Sequence, residues 1–408
     1  MNSYIEHLDR ITDRAEQYVA LLMKWLLINS QTYHRAGMDE MLVHLEDAFS
    51  SLDGQMTAHD LGTRHTNGPG GKKVARELGK ALKITKRPDH PFRIFLCGHM
   101  DTVLAPVDRS ESDARRGDGR IRGTGATDAK GGLVVMLAAL ECFERSPLAD
   151  KMGWEVLIVP DEEIGSHGSK PLLEDAAVRY PLGLLFEPAQ PDGALVGERV
   201  GSGTYSAIVR GRAAHAGRHI DIGRNAIDAL ADFIVALRAL KSENPGIRIN
   251  VGAVEGGGPV NVVPAFARCR FNIRVRTFDD FEKARKGIDD IAGKIGQRDG
   301  ISVEMTGGFG RPPKPMTPEI HYLLQQLAAC GRDLGMEIRW KPSSGVCDGN
   351  ILLSAGMQNV DSLGPVGDGL HTPEEFVIEE SIIERARLVS LFLMKLSSRK
   401  ILWPPKGK

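Results

Sequence analysis

FRIFLCGHMDTV, residues 92–103, begins as a run that is apolar but for Arg93 and ends in His99 and Asp101. An apolar run this short reads as a strand buried on both faces, the kind a parallel α/β sheet requires. At its carboxyl end His99 and Asp101 lie two residues apart, so in extended backbone they share a face. A carboxylate beside an imidazole suits a metal ligand with its orienting partner. It suits a polar strand end equally well, and this stretch alone does not decide between them.

The same form recurs along the first half of the chain. WEVLIVP (154–160) and LGLLFEP (182–188) are further compact apolar strands, while 39–52 and 131–146 space their apolar residues at helical intervals. Buried strands separated by helices predict an α/β fold, a mixed, largely parallel sheet with helices on both faces and ligands at the carboxyl ends of the strands. Near residue 199 the pattern changes. SGTYSAIVRG (202–211), a helix over 224–240, RINVGAVEGG (248–257), ARCRFNIRVRT (267–277), a helix over 279–295 and ISVEMTGG (301–308) follow one another. Strand-helix-strand-strand-helix-strand is the ferredoxin-like α+β order. RPPKP (311–315) closes the block as a stiff connector. The expected organisation is a discontinuous α/β domain, 1–199 and 312–408, with an α+β domain, 200–311, inserted in it.

Bulk properties are those of a globular protein. The chain has 408 residues, a formal net charge of -1, 42% hydrophobic and 26% charged residues. This predicts a globular protein of more than one domain and argues against nucleic acid or an anionic membrane surface as the main partner. YVALLMKWLLI (18–28) is interrupted by Lys24 and too short for a membrane span, and Glu6, Asp9 and Asp13 spoil it as a signal peptide. Five cysteines without CxxC spacing are neither a disulfide framework nor a thiolate zinc site, and they fit a cytoplasmic location.

Each strand of the larger unit ends in acid or histidine. GRIRGTGATDAKGG (119–132) brings Asp128 to a helix start, WEVLIVP runs into Asp161-Glu162-Glu163, LGLLF ends at Glu187, and GPVGDGLHTPEE (364–375) sets His371 in a glycine-rich loop. Singly these have ordinary explanations. Asp128 suits a helix N-cap, Glu162 and Glu163 a solvated loop, Glu187 a surface acid and His371 a loop hydrogen bond. Gathered on one sheet edge, so many carboxylates repel one another, and a pair of divalent cations relieves that directly. Nitrogen and oxygen donors without thiolate suit zinc, with cobalt or manganese as substitutes. Two metals about 3.5–4 Å apart share a bridging carboxylate and a water, and one carboxylate must stay free to take the water's proton. Glu162 and Glu163, diverging on extended backbone, supply one of each. GxxxxGK[ST], HExxH and GxSxG are absent, and GTGATD lacks the third glycine of a dinucleotide fingerprint. A nucleotide-dependent oxidoreductase would rest on fold analogy alone.

GHMDTV, TDAKGG, PDEEIGSHGS, FEP and HTPEE stand in the order and rough spacing of one family of dizinc hydrolases. From about residue 20 onward the chain resembles that family, which includes glutamate carboxypeptidase, acetylornithine deacetylase, succinyl-diaminopimelate desuccinylase and aminoacylase. The resemblance implies two zinc ions (cobalt or manganese possible), with His99 and Glu187 on the first, Glu163 and His371 on the second and Asp128 bridging. Asp101 would tune His99, and Glu162 would be the general base that deprotonates the attacking water. It implies a peptide bond after Asp128 in the cis form, and a homodimer formed through the inserted domain, which also acts as a lid. His215, in RGRAAHAG (210–217), would reach across the dimer to the scissile carbonyl. Asn261 and Arg274 would grip the substrate carboxylate, with Arg270 and Arg276 on the same strand face.

The activity so implied is zinc-dependent hydrolysis of an amide or peptide bond next to a free carboxylate, on a small peptide or N-acyl amino acid. GPVGDGLHTPEE looks most like the carboxypeptidase branch, and FNIRVRT (271–277) as much like the desuccinylase branch. An N-acyl amino acid deacylase is therefore the alternative. A non-catalytic binding protein is a further one, opposed by the complete ligand set. Two departures stand out: Ala129, where many relatives carry a second acid, and SSGVCDGN (343–350), where carboxypeptidases have a glycine-rich loop ending in Thr-Asp-Ala.

Overall fold

The strand Arg93–His99 lies inside a six-stranded sheet, parallel to Gly153–Val159 on one side and to Leu182–Leu185 on the other. A computed structural model describes residues 2–67, 73–105 and 114–405. Gln358–Val360 extends the parallel part, while Lys80–Lys86 and Gln55–Asp60 add an antiparallel edge. Alternate side chains of the 93–99 strand enter two cores. Ile94 and Leu96 pack with the helices Lys130–Glu144 and Glu379–Ser397, and Phe95 and Cys97 with Lys170–Arg179 and Asp348–Ser354. Helices therefore cover both faces, which is why the strand is apolar from Ile94 to Cys97. The carboxyl ends of three parallel strands reach one edge, where His99, Asp161 to Glu163 and Glu187 follow.

The chain leaves this body at Arg199 and builds a separate four-stranded antiparallel sheet in the order Ile247–Gly256, Phe266–Val275, Gly201–Arg210, Ser302–Arg311. The helices Ala226–Glu243 and Phe278–Gly296 pack on one face over Ala207, Val209, Phe271 and Ile273. Both helices start on a side-chain cap: the Asn225 carbonyl accepts from Ile227 N at 2.9 Å, and Thr277 Oγ1 from Asp280 N at 3.0 Å. On the chain's return Arg199 and Lys314 exchange main-chain hydrogen bonds of 2.8 and 2.9 Å. Beneath this joint Asp361 accepts from Arg199 Nε at 2.9 Å, Arg199 Nη2 at 2.7 Å and Lys314 Nζ at 2.9 Å, all three residues being buried.

All five cysteines are unpaired and buried. Among the described residues, no helix is long and apolar enough to cross a membrane.

Candidate metal and catalytic centre

His99 closes its strand fully buried, with Nδ1 3.0 Å from the main-chain oxygen of Asp101 and 3.4 Å from its carboxylate. The closer partner is the carbonyl, because Asp101 turns its carboxylate to other donors. Asp101 Oδ2 accepts from Thr32 Oγ1 at 2.7 Å and Glu163 N at 3.2 Å, and Oδ1 from Glu162 N at 3.1 Å. One buried carboxylate thus ties the histidine's strand to the paired glutamates. Nε2 of His99 is left to face Asp128 Oδ1 at 3.0 Å and Glu187 Oε2 at 4.0 Å.

Asp128 divides its oxygens. Oδ1 faces His99, and Oδ2 faces His371 Nε2 at 3.2 Å, which also lies 3.2 Å from Glu163 Oε2. Asp128 is not the helix N-cap: that position is Ala129, without a side-chain cap bond, and the Asp128–Ala129 peptide is cis. The turn before it is held by Glu375, whose carboxylate accepts from Gly125 N at 2.8 Å and from Thr127 N and Asp128 N at 2.9 Å. His371 sits at φ 63, the left-handed region that a residue with a Cβ enters at a cost of about 1–2 kcal/mol.

Glu162 and Glu163 diverge, though not on extended backbone. Residues Glu162–Ile164 form a 3₁₀ turn, and Asp101 holds its first two amides. Glu163 turns to His371, whereas Glu162 turns to Arg311 of the inserted sheet, whose Nη2 donates to Glu162 Oε1 at 2.6 Å and Glu162 O at 3.0 Å. The same nitrogen reaches Ser166 Oγ at 3.0 Å and Asp348 Oδ1 at 3.1 Å.

The charges are those of a cation site. Burial pushes the Glu187 carboxyl up to about 7 and raises Glu163 and Glu162, the last against the opposing pull of Arg311. Burial would raise Asp128 too, but hydrogen bonds from His371 and His99 outweigh it and hold it low. Asp128 and Glu163 raise His371 to about 11. Ligand atoms of His99, Asp128 and Glu163 all lie within 4.8 Å of one another, and Glu163 Oε1 is buried without a hydrogen-bond partner. Donors bound at about 2.0–2.2 Å around a tetrahedral zinc stand about 3.3–3.6 Å apart, and the contacts of 3.0 to 4.0 Å lie on either side of that edge length. An orphaned oxygen, an all nitrogen and oxygen donor set and a carboxylate divided between two histidines fit divalent metal.

The remaining expected residues lie on the inserted unit. His215 and Asn261 are neighbours: their segments pair, with Ala216 N donating to Asn261 O at 2.9 Å, and both side chains are exposed. Among the described residues, no hydrogen bond or ion pair joins either to the metal-ligand cluster. Arg274 is half-buried and donates through Nη1 to the carbonyl of Ser344, in the divergent SSGVCDGN loop. Sequence reasoning missed Arg311, Glu375 and Thr32. Arg311 was legible only as part of a proline-rich connector.

The model of peptidase family M20/M25/M40 matches residues 95–395. Carboxypeptidase G2 of Pseudomonas sp. (strain RS-16) is 28% identical over 319 residues, covering 75% of this chain and 74% of that protein. Succinyl-diaminopimelate desuccinylase of Pseudomonas fluorescens (strain Pf0-1) is 28% identical over 329 residues, 76% of this chain and 83% of that protein. The fold matches a dinuclear metal-binding peptidase of Bacillus subtilis with a TM-score of 0.68 over 95% of this chain and 99% of that one, at 12% identity. With the motifs inside the matched span and a cation-binding donor set at the sheet edge, the chain belongs to peptidase family M20/M25/M40 and is a metal-dependent hydrolase.

Proposed function

We propose that the protein hydrolyses an amide or peptide bond next to a free carboxylate, in the manner of a glutamate carboxypeptidase. The observation that carries this reading is the division of labour between adjacent acids: Glu163 turns to the histidine cluster, while Glu162 is held clear of it by Arg311. His99 and Glu187 would hold one zinc ion, Glu163 and His371 a second, and Asp128 would lie between them. Bound zinc, or cobalt or manganese in its place, supplies polarisation of the scissile carbonyl and acidification of water.

Glu162 is the proton carrier. Oε1 is fixed by Arg311, leaving Oε2 to take the proton of the attacking water and pass it to the leaving amine. Asp101 fixes both the imidazole of His99 and the backbone of Glu162, so ligand and base keep one relative position. Arg274 and Asn261 bind the substrate carboxylate, a task suited to the planar guanidinium fork. The inserted unit, residues 200–311, serves as lid and as the contact of a homodimer, and His215 meets the carbonyl oxygen of the partner's substrate. A cytoplasmic enzyme acting on small peptides or N-acyl amino acids is the whole reading.

Equal likeness to a desuccinylase supports a second reading, a deacylase of N-acyl amino acids, which uses the same residues. A mass-spectrometric product screen on zinc-loaded protein separates the two. Release of a C-terminal residue from peptides supports the carboxypeptidase, and cleavage confined to N-acyl amino acids supports the deacylase. Absence of cleavage across dipeptides, N-acyl glutamates, N-acetylornithine and succinyl-diaminopimelate would sink both.

A further inference from the structure

The loop that carries His371 connects a hairpin in which Gly367–Asp368 pairs with Phe376–Ile378. It lies outside the six-stranded sheet whose strand ends set His99 and Glu187. Its internal hydrogen bonds are local: Gly369 O accepts from Thr372 N at 3.1 Å and Thr372 Oγ1 at 2.7 Å, and Thr372 O accepts from Glu375 N at 3.3 Å. None of these bonds ties His371, half-exposed and at positive φ, to Asp128.

The segment that carries Asp128 follows Arg120–Arg122, a strand paired with Phe376–Ile378. The pairing ends at Arg122 and Phe376, and one more main-chain bond joins Gly123 N to Glu375 O at 3.0 Å. From there the Glu375 side chain takes over. Oε2 accepts from Gly125 N, and Oε1 from Thr127 N and Asp128 N. Gly125 sits at φ 84, a left-handed conformation of the kind that gathers main-chain amides into an anion-binding concavity. Glu375 is buried, and its partners are these amides and no cationic side chain among the described residues. A buried charge costs free energy that a neutral residue avoids. An acceptor-only carboxylate nevertheless suits three converging amides, whereas a glutamine would turn a donor toward one of them.

We propose that Glu375 is a positioning residue: its carboxylate fixes the turn of Asp128 against the loop of His371, and so assembles the second metal position. This rests on the two-ion reading above. Asp128 serves both positions, but only the second also needs His371. A lost fit between turn and loop therefore falls mainly on the second. The first takes His99 and Glu187 from the ends of parallel sheet strands, which Glu375 does not touch.

The test is a zinc titration against a chromophoric competitor on the wild type, E375Q and E375D, with H371A marking the step that belongs to the second position. E155Q is the control. Glu155 is also buried and accepts from Arg179 Nη1 at 2.9 Å, Arg179 Nη2 at 2.8 Å and Tyr180 Oη at 3.0 Å, near the amino end of its strand and away from the metal edge. The wild type should bind two zinc ions. E375Q should weaken the second step at least about tenfold, the lower end of the loss expected when a group that orients a ligand is removed, and change the first less. E375D, which keeps the anion one methylene short, should shift the same step by less, and it stands in where E375Q does not fold. E155Q should lower Tm and leave both steps in place. Unchanged steps in E375Q, or a loss that E155Q reproduces, overturn the positioning role and leave the two-ion reading standing. A loss spread equally over both steps overturns the assignment to the second position. A wild type that binds a single ion overturns both the role and the two-ion reading.

Discussion

Arg311 Nη2 holds Glu162 at two points, its side-chain Oε1 at 2.6 Å and its own main-chain oxygen at 3.0 Å. The arginine ends the last strand of the inserted sheet, and the glutamate follows a strand of the main sheet, so Glu162, the proposed base, is oriented by the other folding unit. Burial raises the Glu162 carboxyl and the Arg311 charge opposes that rise. A general base works deprotonated, so removing the arginine moves the acid limb of activity to higher pH. R311A should lower kcat at least about tenfold and shift the acid limb of the kcat/KM profile upward. It should also destabilise the fold by about 3–5 kcal/mol, since Glu162 and Asp348 lose a buried counter-charge. R311K, which keeps charge without the fork, should restore part of the limb. An unchanged profile in R311A would remove this orienting role.

Asp128 predicts how metal content responds to substitution. Among the described residues it alone faces both histidines, whereas His371 contacts only one side of it. If two ions bind as proposed, D128N should lose metal at both positions and H371A should retain about half the wild-type content, read by elemental mass spectrometry after dialysis. Chelation of the wild type should abolish activity and lower Tm, because Glu163, Glu187 and Asp128 are left facing one another. Wild-type content in D128N would rule out the bridging assignment.

Asp361 makes a prediction about pH and stability outside the catalytic residues. Burial opposes its ionisation, but Arg199 and Lys314 outweigh burial and hold the carboxyl well below the usual carboxylate range. A carboxylate with a depressed folded-state pKa stabilises fully above its unfolded value, about 4, and loses that contribution as pH falls. D361N leaves two buried cations without their acid and should cost about 3–5 kcal/mol at pH 7 in urea unfolding. The gap between wild type and variant should narrow below about pH 4. A gap that stays constant down to pH 3 would mean that Asp361 contributes by shape and not by charge.

The parts of this site that the sequence makes legible share a cause. Strands covered on both faces are apolar runs broken here only by Arg93 and Glu155 near their starts, so the first polar residues after FRIFL, WEVLIVP and LGLLF fall on one edge in register. Alternation and capping likewise expose the inserted unit, with Asn225 and Thr277 opening its two helices. What stays hidden is the pairing of buried charges far apart in the chain. Arg311 and Glu162 are 149 residues apart, Arg199 and Asp361 162, and Glu375 and Gly125 250. A lone Arg, Asp or Glu reads as a solvated surface residue, and only the folded chain shows that its partner lies beneath. The 3₁₀ turn at Glu162 is hidden for the same reason, because the Asp101 carboxylate that holds it comes from another strand end.

His215 gives the sharpest test of quaternary organisation. Its imidazole is exposed beside Asn261, with Nδ1 accepting from Gly217 N at 3.1 Å and Arg218 N at 3.2 Å, and among the described residues no hydrogen bond or ion pair joins it to the proposed metal ligands. If it serves the partner's site, two inactive variants should repair each other. H215A carries an intact Glu162 but offers its neighbour no histidine, and E162Q carries an intact His215 but no base. In a heterodimer the H215A subunit would receive the histidine of its E162Q partner, giving one working site of two. Mixing the unfolded variants in equal amounts and refolding them should recover about a quarter of wild-type activity, since about half of the dimers are mixed. Each variant alone should fall by about 10²–10⁴. Activity that stays at the level of the separate variants, in a mixture shown by native mass spectrometry to contain heterodimers, would place His215 in its own subunit's chemistry or outside the reaction.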